Sequence, residues 1–160
     1  MSRRTTIPTQ PSRPIPLSSC VLYGVGAGLL GVAAMTAGEK IEQFFTGRPN
    51  SLVPGYTLAR LLSVSNPEKN GMFNWNMAMH YGQGAVAAVI RAIMSANGVR
   101  GPFADFMFIS VRLLIDQTLE NCTGVGALPW TWPVNEQVID ILHKAVFAFA
   151  TGYFTDRWIQ

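Results

Sequence analysis

The sequence predicts an all-α fold: a four-helix, membrane-embedded bundle built from two helix–loop–helix repeats. Three observations predict it. No charged residue occurs from Leu17 to Gly38, a run long enough for a helix to cross the hydrocarbon core. A second apolar run extends from Trp75 to Ile90 and is broken only by His80. Charged residues are 13% of the chain, about half the usual globular share.

The first helix is expected over 17–45. Gly24, Gly28 and the nearby Gly31 lie along it, and small residues at such spacing let another helix approach closely. The run could also serve as the apolar core of a signal peptide, with Val32-Ala33-Ala34 as its cleavage region. The rest of the chain also looks membrane-embedded, although its last two helices are amphipathic and could lie partly outside the bilayer, so a resident helix is the preferred reading. Ahead of it, residues 1–16 hold Arg3, Arg4, Arg13, four prolines and no acid. Such a segment buries too little apolar surface to fold and is expected to be a disordered tail.

Residues 47–74 form a connector rich in proline and glycine, with a short apolar piece near Leu58–Leu62 expected as an interfacial helix. The second helix is expected over 74–97, opened by the interfacial aromatic Trp75. Gly101-Pro102 is a stop followed by a helix start, and the third helix follows over 103–121. Its Arg112, Asp116 and Glu120 share one face. A loop with Gly124, Gly126, Pro129 and Pro133 leads to the fourth helix, over 135–156, on which Glu136, Asp140 and Lys144 share a stripe.

The halves resemble each other. Glu39 precedes Thr46-Gly47 as Asp116 precedes Thr123-Gly124, and His80 and His143 stand near the starts of the helices that follow. Two such hairpins put both long loops on one side and bring Glu39, Glu42, His80, Asp116, Glu120, Asp140 and His143 together at one face. Glu39, His80, Asp116 and His143 are the candidate catalytic residues: a partly desolvated carboxyl and a nearby imidazole can share a proton in acid–base work on a lipophilic substrate. Glu42, Arg48, Arg112, Glu120 and Asp140 are the candidate ligand-binding residues. In the loop 46–54, Arg48 with Asn50 and Ser51 offers an anion site. The competing reading makes it a helix stop at Gly47 followed by a turn.

Asp140-x-x-His143 is half of a carboxylate–histidine di-metal pattern, but helix two has Met77 where the second acid belongs. No metal is therefore assigned, and any cofactor is unknown. Lys and Arg are scattered singly apart from Arg3-Arg4, which excludes a nucleic-acid partner. Cys20 and Cys122 fall at opposite faces in this topology and cannot pair. The expected partners are membrane lipid, a hydrophobic small molecule, and a second copy or other membrane-complex subunit. Arg3, Arg4, Arg13, Arg91, Arg100 and Arg157 outnumber the basic residues of the opposite side by one, a slight bias toward a cytosolic N-terminus.

The segments Met35-Thr36 … Glu39 … Thr46-Gly47-Arg48-Pro49 and His80-Tyr81-Gly82-Gln83-Gly84 together resemble small YagU-like multi-pass membrane proteins. The resemblance spans residues 20–155 in pattern, and implies an embedded helical fold and no particular activity. The expected function is an accessory or tailoring component acting on a hydrophobic small molecule in a lipid or secondary-metabolite pathway. The alternatives are a non-catalytic subunit or scaffold of a membrane complex, or a small transporter.

Overall fold

The computed structural model describes residues 14–160. Among them are five α-helices and no strand: α1 (Leu17–Thr46), α2 (Val53–Leu61), α3 (Met72–Ala96), α4 (Gly101–Cys122) and α5 (Val134–Trp158). Short 3₁₀ turns at Pro67–Asn70 and Pro129–Thr131 interrupt the two long connections. The four expected helices are present with ends shifted by a few residues. The apolar piece near Leu58–Leu62 belongs to the fifth, short helix, which begins earlier, at Val53.

α3 is the centre of the assembly. It packs antiparallel on α1, carries α2 across its N-terminal half, and touches α4 and α5; α5 in turn packs on α1 and α4. α1 and α4 therefore face each other with α3 and α5 between them. The close approach of α1 to α3 depends on two glycines. A Cβ at Gly24 would lie 2.7 Å from the Val89 Cα, and one at Gly28 would lie 2.8 Å from the Ala85 Cα. Gly31 and Gly152 make the same kind of room for α5 against α1 and α4, through Thr151 and Asp105. The central core holds Val32, Met35, Ala87, Ala88, Phe108, Ile109, Phe147 and Ala148.

Of the tail expected over 1–16, residues 1–13 lie outside the described residues. Ile15 packs against a second apolar cluster of Cys20, Ala92 and Ile159, which joins the start of α1 to the ends of α3 and α5. Both cysteines are free, Cys20 buried and Cys122 exposed.

The membrane expectation is met in part. α1 is long and apolar enough to cross a membrane. No other described helix reaches that standard. α3 is diluted by Asn74, Asn76, His80 and Gln83; α4 and α5 carry acids and bases at regular helical spacing. What stands is an all-helical bundle with one helix of membrane-crossing character.

Burial sorts the residues unusually. Arg91, Arg112, Lys144, Asp105 and Asp116 are buried, while Leu22, Val86, Phe103, Phe106, Leu114 and Leu142 are exposed along the outer faces. Charges are normally the last groups to enter a protein interior. Here buried charges share the interior with the apolar core, while further large apolar side chains cover the outer faces.

Candidate functional site

The helices put two polar layers at opposite ends of the bundle. The first lies where α1 and α4 end and α3 and α5 begin. The αL cap at Gly47 (φ +69°) ends α1 and frees the chain to fold back over the bundle mouth. Asn76 then holds that return in place: its Oδ1 accepts from the Gly55 amide at 2.9 Å, and its Nδ2 donates to the Ser51 carbonyl at 3.1 Å. Residues of the loops 48–54 and 125–133 thereby line one side of a cavity of about 810 Å³.

Glu39, His80, Asp116 and His143, the four candidate catalytic residues, all line this cavity, one from each long helix. Arg48, Arg112, Glu120 and Asp140 of the candidate binding set line it as well. Glu42 stands behind the wall, with its Oε2 2.9 Å from Arg48 Nη2 and 3.9 Å from His143 Nε2. Lys40, Lys144 and Glu136 complete the charged lining, giving four cations and five carboxylates, and Met35, Leu52, Phe73 and Trp132 are among its apolar members.

The floor is built from α3, α4 and α5. Asp116 accepts from Gln83 Nε2 at 2.7 Å and stands 3.1 Å from Arg112 Nη1 and 3.4 Å from Lys144 Nζ. Lys144 also donates to Asp140, one helical turn before it. Arg112 stacks over the Phe147 ring at 5.2 Å, a cation–π contact that fixes the guanidinium plane. Its Nη1 is poorly aimed at Asp116, and neither Nε nor Nη1 makes a hydrogen bond. His80 Nε2 is also buried with no partner.

Arg48 is occupied. Its guanidinium forks onto Glu42 and reaches Glu136 at 3.8 Å. The pair lies beyond the apolar stretch of α1. There Arg48, with the Thr46 hydroxyl, holds the Glu42 carboxyl below the ordinary glutamate range, and Glu42 raises Arg48 in return. The loop 46–54 thus works as a stop, a turn and an ion-paired clamp, and Arg48 has little of its fork left for an external anion.

Among the described residues, no three His, Cys, Asp or Glu side chains are grouped to hold a metal ion. Asp140 and His143 share the lining, but Asp140 is committed to Lys144.

The second polar layer, at the opposite end, was outside the candidate set. Arg91 of α3 is fully buried. It contacts Asp105 of α4 at 2.9 Å and Asp156 of α5 at 3.0 Å, and donates to the Ser95 hydroxyl at 2.6 Å. Ser95 donates onward to Asp156 at 2.6 Å, and the Gly101 amide donates to Asp156 at 2.8 Å. Arg91 and Asp105 flank a short loop, so their meeting was readable from the hairpin. Asp156 comes from the far end of the chain and gives no such signal. Gln83 and Asn76 were missed as well, since neutral amides within an apolar run read as interruptions.

No protein-family model, curated protein or solved structure matches this chain.

Proposed function

We propose that this chain is a membrane-embedded helical protein whose polar end cavity takes up a hydrophobic small molecule, as an accessory or tailoring component of lipid or secondary metabolism. The observation that carries this reading is the inside-out distribution of charge around a cavity. Acids, bases or imidazoles from every long helix line a partly open cavity of about 810 Å³, while large apolar side chains cover the outer faces. Lipid favours that arrangement, because charges on membrane helices turn toward the bundle interior or a wet cavity. A cavity of this size suits a drug-sized or lipid-sized molecule. Within the reading, Glu39 and Asp116 exchange protons with ligand, and His80 and His143 relay them.

The test is detergent purification of the full chain followed by mass spectrometry of what co-purifies. The wild type is expected to resist carbonate extraction and to carry a defined apolar molecule. Glu39→Gln, His80→Gln, Asp116→Asn and His143→Gln, made singly, are expected to lose it at unchanged protein yield. Release by carbonate alone, or full retention of ligand by all four variants, refutes the reading.

A second reading, a non-catalytic subunit of a membrane complex, is favoured by one feature. Phe44 and Phe45 at the end of α1 are 83% and 80% exposed and stack edge to face, as an aromatic anchor for a neighbouring chain would.

A further inference from the structure

We propose that the molecule bound in this cavity is an uncharged carbonyl compound, an apolar chain ending in a ketone, aldehyde, ester or amide, with its oxygen held by Arg112. The inference rests on the cavity being a binding site and adds the chemistry of its ligand.

Three observations lead there. The first is Arg112 itself. Its side chain is only 3% exposed, it belongs to the cavity lining, and its Nε and Nη1 have no hydrogen-bond acceptor. A buried donor without a partner is costly, and native structures rarely leave one without a reason. Phe147 beneath the guanidinium holds its plane and leaves in-plane rotation as the soft motion. A small rotation would present the free N–H edge to an oxygen arriving from the cavity. The second is His80 Nε2, buried and unpartnered on the same lining. A neutral imidazole with that nitrogen protonated is a second unused donor of the same cavity lining.

The third is the balance of charge, which selects among oxygen-bearing ligands. The lining already holds one more carboxylate than cation. An added carboxylate or phosphate would bring a like charge beside Asp116 on the floor. A cationic head would meet Arg112 and Lys144 on the floor. A carbonyl oxygen supplies the missing acceptor and brings no charge. Phe73, Met35, Leu52 and Trp132 give its chain an apolar wall.

The full chain in lipid nanodiscs tests this, with Trp132 fluorescence as the readout and Trp132→Phe to identify the responding residue. The probes are a medium-chain methyl ketone, the alkane of equal length and the fatty acid of equal length. The ketone is expected to quench saturably. The alkane and the acid should bind at least about ten-fold more weakly, the equivalent of one hydrogen bond to a charged donor. Arg112→Lys keeps a cation beside Asp116 and removes the Nε–H and the fork. It should weaken the ketone about ten-fold and leave the alkane unchanged. Equal affinity for ketone and alkane, or tighter binding of the acid, overturns the carbonyl assignment while the cavity stands as a binding site; these comparisons use wild-type protein and do not depend on the variant folding. Unchanged ketone binding by a folded Arg112→Lys protein overturns the role of Arg112. No saturable response to any probe overturns the cavity reading and this inference together.

Discussion

Two buried arginines, Arg91 and Arg112, sit at opposite ends of one bundle, and they differ in how fully their donors are used. Arg91 is saturated. Asp105, Asp156 and Ser95 receive its donors, and the Gly101 amide and Ser95 hydroxyl occupy the remaining acceptors of Asp156. Arg112 has a carboxylate nearby but leaves donors unused. A fully connected buried network rigidifies what it joins, and at the Arg91 end it ties α3, α4 and α5 together. The Arg112 end has the same ingredients loosely assembled around open space. One end closes the bundle, and the other leaves a cavity lined by charged side chains.

The sharpest way to break that contrast is to remove each arginine in turn. Arg91→Met strands Asp105, whose side chain has no other hydrogen bond, and should cost about 3–5 kcal/mol. Arg112→Met leaves Asp116 with Gln83 and Lys144 and should cost only about 1–2 kcal/mol. Reversible unfolding of the two variants in mixed micelles measures both values. Equal losses would mean that the two layers are energetically alike.

A smaller effect probes the tightness of the closed end. A Cβ at Gly152 would run into the Asp105 carboxylate, whereas one at Gly82 meets nothing. Gly152→Ala should therefore cost about 1–3 kcal/mol through overpacking. Gly82→Ala, in mid-helix, should be neutral or gain up to about 1 kcal/mol from reduced backbone entropy in the unfolded chain. Thermal melts of the pair would show whether crowding is specific to the Arg91 end.

The smallest effect concerns the clamp at the cavity mouth. Arg48 depresses the Glu42 carboxyl, so the stabilisation is fully present above the ordinary glutamate range. It fades only as the pH falls below that range, through the lowered value. Glu42→Gln should cost about 0.2–1 kcal/mol at neutral pH, as expected of an ion pair still in reach of solvent. It should also flatten the acid limb of the stability profile while leaving the neutral region unchanged in shape. Loss of stability above neutral pH in the wild type would argue that another group governs the loop.

Most of the helical layout could be read from residues 17–160. Charge-free runs, the Gly101-Pro102 break and the prolines of the two connectors mark α1, α3, α4 and α5, because periodicity and helix breakers act locally. Convergence of Glu39, His80, Asp116 and His143 on one space was also legible. It needs only that each polar residue lie near a helix end and that successive helices run antiparallel. The full span of α2 was less legible, since its start at Val53-Pro54 lies outside the apolar piece that signals it. The Arg91 layer was not readable beyond its pairing with Asp105. In sequence, Arg91 looks like a flanking charge at a membrane edge, and only its burial against Asp156 reveals a different part.

Local chemistry alone thus settled where the chain is helical, which stripes are charged and which ends those charges occupy. Tertiary structure decided which charges find partners. Whether a guanidinium is satisfied depends on ångström-scale alignment between side chains from separate helices, and that alignment is set by how closely the backbones pack. Gly152 lets Asp105 reach Arg91. Arg112, stacked on Phe147, stands beside Asp116 without aligning a donor on it. No residue spacing along the chain encodes that difference, because it arises only when the helices meet.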